Sequence, residues 1–169
     1  MRKTERKDGS KPKIHAGHME VAVAKLIGWR VATIVPNVSW GLGLRHECDL
    51  LILDKLGRLS EVEIEISKSD FKADFRKGHN HISPIIGRLI YAVPDELVDF
   101  AKTVIPEKSG LITVKWTSIG WQATWVRYCK HGESLKLTAE QKIKLMSLGC
   151  MRIWTLKEAL YNRPPYSRV

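Results

Sequence analysis

The first regular pattern along the chain is helical. Met19, Ala22, Val23, Leu26 and Ile27 recur at i, i+3, i+4, i+7 and i+8, a spacing that gathers them on one face of an amphipathic helix. The helix runs from residue 18 and meets a natural stop at Gly28. Glu20 falls in its first turn, at the edge of the apolar stripe. The period then shortens. Residues 31–38 read as a strand interrupted by Pro36, and residues 39–44 as a looser, glycine-containing stretch. Residues 47–53 form a second strand that enters the turn 54–58, and residues 59–66 return as its partner. The two together predict a β-hairpin with a Gly-containing loop.

Residues 69–78 have a cap-like start and a glycine end, which predicts a short helix. Residues 88–93 read as a strand ended by Pro94, residues 95–104 as a helix, residues 111–116 as a strand and residues 121–129 as one more. Two capping-box patterns follow, Thr138-x-x-Gln141 and Thr155-x-x-Glu158, and each predicts a closing helix. The order of helix, three strands, helix, strand, helix, strand describes one α/β layered domain with a mixed sheet. It spans residues 15–169, behind a flexible basic arm of residues 1–14.

Composition narrows the class. A chain of 169 residues, 44% of them apolar, can bury one hydrophobic core. There is no apolar run of membrane-spanning length, and the beginning of the chain is polar and basic. No membrane association and a cytoplasmic location are therefore expected. The cysteines Cys48, Cys129 and Cys150 follow no metal-ligand spacing and fit reduced thiols. A formal net charge of +10 raises the odds of a polyanionic partner such as DNA. Oligomeric state stays open, a homodimer included.

The strand 61–66 carries the most information. Alternation puts Glu61, Glu63 and Glu65 on one face and Val62, Ile64 and Ile66 on the other. Taken alone, three carboxylates in a row describe a solvated edge strand. The neighbouring strand argues otherwise. Asp49 sits beside Leu50, Leu51, Ile52 and Leu53, a run that implies burial on both faces, and a buried aspartate needs a partner or a cation. If Leu53 pairs with Leu59, Asp49 falls opposite Glu63 and on its face; a shift of one residue would separate them. Asp49, Glu63 and the backbone carbonyl of Ile64 would then make an all-oxygen site for Mg²⁺ or Mn²⁺.

These residues resemble the PD-(D/E)XK nuclease superfamily, with its acidic residue on the second strand and (D/E)-x-K on the third. Here the match is Asp49, then Glu63-Ile64-Glu65. Within the superfamily, the stretches 62–77, 88–94 and 110–112 are similar to the MmcB-like DNA repair proteins. The resemblance covers about residues 19–114, and the part from Trp116 on matches no named family. It implies a restriction-endonuclease-like αβββαβ core with an extra C-terminal strand and helices. It also implies metal-dependent hydrolysis of DNA phosphodiester bonds in repair, recombination or phage DNA processing, with Glu20 completing the site from the first helix. Glu65 stands where the family usually has lysine. Glu65 could act as general base or further ligand, or Lys68 could bring its ammonium into the site. The substitution also leaves open a non-catalytic DNA-binding protein on a degenerate nuclease fold.

Other signals are weaker. Lys68, Lys72 and Arg76, joined by Lys77, form a basic stripe suited to phosphate contact. Loop histidines His46, His79 and His81 show no zinc spacing and read as surface polar groups, although His46 could approach a substrate phosphate. Ser67 reads as a helix cap. Trp40 could stack on a base, while Trp116, Trp121 and Trp125 read as core or sheet-face residues.

Overall fold

The computed structural model describes residues 11–76, 81 and 83–162. Among them the order is α1 (Ala16–Ile27), β1 (Thr33–Val38), β2 (Cys48–Leu53), β3 (Leu59–Ile64), α2 (Lys68–Arg76) and β4 (Ile86–Pro94). A 3-10 turn (Asp95–Leu97), α3 (Val98–Val104), β5 (Gly110–Thr117), β6 (Gly120–Arg127) and α4 (Ala139–Tyr161) follow. The strands form one mixed six-stranded sheet in sequential order. β1–β2, β2–β3 and β5–β6 are antiparallel, and β3–β4 and β4–β5 are parallel. Each parallel connection carries a helix, as such crossovers require.

Local rules explain most boundaries. Gly28 ends α1 with φ 94°, a left-handed conformation that suits glycine. Because α1 begins at Ala16, Glu20 lies in its second turn rather than its first. Ser67 caps α2, its hydroxyl accepting from Asp70 N at 3.2 Å. The chain after Pro94 makes a 3-10 turn before α3 where a continuous helix was expected. The pair of closing helices is corrected to one, Ala139–Tyr161. Thr138 and Gln141 do form a capping box at its start. Thr155, read as a second cap, lies inside the helix, where its hydroxyl donates to the Met151 carbonyl at 3.1 Å. That backward bond satisfies Thr155 without interrupting the helical ladder.

The sheet is covered on both faces. Met19, Ala22 and Val23 of α1 pack on Leu50, Ile52, Val62, Ile90, Ala92, Ile112 and Val114. On the opposite face, Leu145 and Leu148 of α4 meet Val35, Leu51, Leu53 and Leu59. Also on that face, Phe71 of α2 and Ala101 of α3 meet Tyr91, Val93 and Leu111. Trp121 and Trp125 pack against the α1-side core, and Trp116 meets Trp121 edge to face. Of the expected basic arm, residues 11–14 are described: Ile14 packs against the α1-side core, and Lys11 pairs with Glu96 at 3.0 Å. Residues 1–10 lie outside the described residues. Among the described residues, no helix is long and apolar enough to cross a membrane.

Candidate metal centre

β3 is a central strand, hydrogen-bonded to β2 on one side and β4 on the other. The solvated-edge reading of its glutamates therefore fails. Alternation aims Glu61 and Glu63 at the face that α2 and α4 cover, between the two apolar clusters there. Glu61 is 0% exposed, Glu63 5% and Glu65 4%. Glu65 lies just past the strand, where its N–H still donates to Ala92 O at 3.0 Å.

The hairpin adopts the register that the site requires. Leu53 pairs with Leu59 and Leu50 with Val62; the ladder ends there, and Asp49 and Glu63 meet beyond it in the wall of one cleft. Cys48 packs with the α4-side cluster, whereas Leu50 packs under α1, so alternation breaks at Asp49. Asp49 accepts a hydrogen bond from Ile64 N at 2.7 Å through Oδ2. It also lines, with Glu47, Glu63, Ile64, Glu65, Asp70, Ala73 and Asp74, an open cleft of about 400 Å³. Glu20, on α1, is not among the residues lining this cleft, though it feels the Asp49 charge. Burial, and then the Asp49 charge, hold its carboxyl above the usual carboxylate range.

Behind the cleft lies a cluster whose full membership the sequence reading missed. His46 and His81, expected as surface groups, have side chains only 5% and 6% exposed. His46 Nε2 contacts Glu61 Oε1 rather than facing a phosphate, and Cys48 Sγ lies 3.6 Å from the same nitrogen. His81 contacts Glu61 Oε1 at 3.0 Å through Nδ1 and Asp74 Oδ2 at 2.8 Å through Nε2. Burial alone would lower its pKa, but hydrogen bonds to Asp74 and Glu61 outweigh that and raise it to about 9. His81 is thus an imidazolium donating from both ring nitrogens.

Two adjacent buried carboxyls cannot both ionise cheaply. Burial pushes Glu63 up, and the adjoining Glu61 adds to this. Burial would also raise Glu61, but the hydrogen bonds from His81 and Glu63 hold it down. Glu61 is the ionised member of the pair and Glu63 the protonated one. Without a proton or cation shared between them, the buried Oε2 of Glu61 and Oε1 of Glu63 have no hydrogen-bond partner. Burial and then Glu61 also push the Cys48 thiol far up. His46, Cys48, Glu61 and Glu63 are one group able to hold a metal ion; Glu63, Asp74 and His81 are another.

The other predicted residues are placed as follows. Lys68, Lys72 and Arg76 are exposed on α2. The Lys68 ammonium lies over the Phe100 ring, 5.0 Å from its centroid, and does not line the cleft. Trp40 is half exposed and covered by the Lys144 ammonium at 4.3 Å. Lys77 and His79 lie outside the described residues. The signal that would have found Asp74 is its i+3 spacing from Phe71, which puts both on the buried face of α2.

No protein-family model and no curated protein sequence matches the chain. Among solved structures, a protein of unknown function from Silicibacter pomeroyi is similar, with a TM-score of 0.61 and 20% identity. The match covers 93% of this chain and 100% of that one. At that identity the likeness establishes the α/β fold alone.

Proposed function

We propose that the protein is a Mg²⁺- or Mn²⁺-dependent deoxyribonuclease built on a restriction-endonuclease-like core, acting in DNA repair, recombination or phage DNA processing. The observation that carries this reading is the acidic cleft that Asp49, Glu63 and Glu65 line together at the end of β3. The site lies at the carboxyl end of parallel strand β3, the end at which open α/β sheets bind ligands. The αβββαβ element order and the net charge of +10 agree with it.

The donor set fits the ion. Asp49, Glu63 and the Ile64 carbonyl offer hard oxygens, and all three residues line the cleft. These three groups would hold Mg²⁺ or Mn²⁺, which when bound supplies an electrophile to the scissile phosphate and lowers the pKa of a water. Glu20, its proton affinity raised by burial and then by the Asp49 charge, assists from α1 through water. Glu65, buried in the cleft wall, takes the proton of the attacking water, the role nearest to it in geometry. Lys72 and Arg76, with Lys68, contact backbone phosphates and fix the duplex on α2.

The experiment is incubation of end-labelled DNA with the purified chain and Mn²⁺, beside Asp49→Ala. Cleavage by the parent and none by the variant is expected. No cleavage by the parent with either ion, or equal cleavage by both, overturns the reading. The replacement of lysine by Glu65 favours a second one, a non-catalytic DNA-binding protein. Its signature is DNA binding without cleavage, unchanged in Asp49→Ala.

A further inference from the structure

We infer that His46, Cys48, Glu61 and Glu63 form a buried site for a tetrahedral transition-metal ion of the zinc type, beside the cleft rather than in it. This does not depend on the nuclease reading. The loop before β2 supplies His46, the first residue of β2 supplies Cys48, and successive same-face positions of β3 supply Glu61 and Glu63. One donor atom from each lies within 4.8 Å of all the others.

The geometry suits a small tetrahedral ion. Zinc–sulfur and zinc–nitrogen bonds of about 2.3 and 2.05 Å at the tetrahedral angle place the two donors about 3.6 Å apart. Cys48 Sγ and His46 Nε2 stand 3.6 Å apart. A nitrogen, a sulfur and two oxygens suit a borderline ion and do not suit Mg²⁺ or Ca²⁺, which take oxygen.

A second observation points to a ligand. Glu61 is fully buried and Glu63 nearly so, one oxygen of each lies in this group, and the buried Glu61 Oε2 and Glu63 Oε1 have no hydrogen-bond partner. A cation bonded to both would remove the two deficits together. It would also let Cys48 lose its proton, which its acidic surroundings otherwise oppose. His81 belongs to the outer layer. It holds Glu61 on one side and Asp74 on the other, the kind of support that orients a ligating carboxylate. Both its ring nitrogens are engaged in this, with Glu61 and with Asp74. Binding here ties the loop before β2 to the centre of the sheet and fixes the Glu63 carboxylate at the cleft wall.

The test uses the full chain purified without chelator. Elemental analysis should find stoichiometric zinc. The metal-depleted chain titrated with Co²⁺ should show the intense visible bands of a tetrahedral site and a thiolate-to-cobalt charge-transfer absorption. Cys48→Ser should abolish the charge-transfer absorption, and His46→Gln should weaken cobalt binding at least tenfold. Asp49→Ala should keep the full cobalt spectrum while losing Mn²⁺-dependent cleavage, so the two readings fail separately. Absence of both zinc and cobalt binding overturns the inference. So does cobalt bound without thiolate absorption, which places the ion elsewhere, or an unaltered spectrum in Cys48→Ser. The parent spectrum decides the matter even if a variant fails to fold.

Discussion

Asp54→Ala tests the device that sets the candidate site. Asp54 opens the hairpin turn. Its Oδ1 accepts from Leu56 N and Arg58 N, both at 2.9 Å, and its Oδ2 from Arg58 Nε at 2.9 Å. The first two bonds organise a loop that brings Leu53 opposite Leu59 and so fixes the β2–β3 register that runs toward the candidate site. Side-chain caps of this kind are worth about 1 kcal/mol per bond. The partly exposed pair with Arg58 adds at most about 0.5 kcal/mol. Loss of all three should cost about 2 kcal/mol, a fall in Tm of about 4–8 °C for a domain of this size. Asp54→Asn keeps an acceptor for the two amides and should lose less than half of that. Burial would raise the Asp54 carboxyl, but the bonds from Arg58 and Leu56 outweigh it and hold the pKa below the usual range. Its contribution is therefore present above the unfolded value of about 3.9 and lost as pH falls through the lower folded value. The gap between parent and Asp54→Ala should narrow below about pH 4. Calorimetric melting across pH reads all of this. Asp54→Asn as damaging as Asp54→Ala, or a parent-like Tm for Asp54→Ala at pH 7, would refute the argument.

Three further outcomes follow from other parts of the molecule. Phe71 is fully buried against Tyr91 and Phe100, with ring centroids 6.0 and 5.6 Å away, so Phe71→Ala should cost about 3–5 kcal/mol in urea unfolding. A loss below about 1 kcal/mol would show that α2 is not anchored there. Lys72→Glu with Arg76→Glu should weaken DNA binding and reduce the slope of log K against log salt by about two; an unchanged slope removes α2 from the DNA surface. In chelator-treated protein, the His81 imidazolium stabilises the fold fully below the unfolded pKa of about 6.5, and that stabilisation is lost as pH rises through about 9. Parent and His81→Gln should differ by on the order of 3 kcal/mol at pH 6 and converge by about pH 10; a constant gap in melts across that range contradicts the assignment.

The sequence carried the fold where one local rule dominated. The i, i+3, i+4 stripe defined α1, and the turn between Leu53 and Leu59 defined the hairpin but left its register open to a one-residue shift; the structure has Leu53 paired with Leu59. An aspartate beside the apolar run of β2 made Asp49 legible as a site residue, and the cleft it shares with Glu63 appears only in the folded chain. Local rules misled where the surroundings outweighed them. Thr155-x-x-Glu158 has the form of a cap, yet the helix continues through it, since its backbone bonds are already made. The histidines were misjudged for a related reason. Loop position says nothing of burial, and His46 and His81 are brought to Glu61 from opposite ends of the site by chain segments that share no pattern. Cys48 and Asp74 join the same group only once β2, β3 and α2 are assembled.

Glu61 gives the strongest reason to regard this cluster as functional rather than structural. It lies in the central strand, fully buried, between two apolar clusters that a leucine at that position would join. Charge buried in this way is weak as a source of stability, since well-packed apolar residues of similar volume commonly do as well or better. Asp74 is a second buried acid beside it, and Glu63 avoids the cost of charge only by keeping its proton. The His81 imidazolium offsets part of the negative charge but leaves the Glu61 Oε2 and Glu63 Oε1 atoms without hydrogen bonds. Such an arrangement holds together best with a cation at its centre, and the same acids would be costly without one. On the proposed reading, the excess of basic residues and the acidic interior form one design. The surface draws in a polyanion, and the interior retains the positive ion that its phosphates meet.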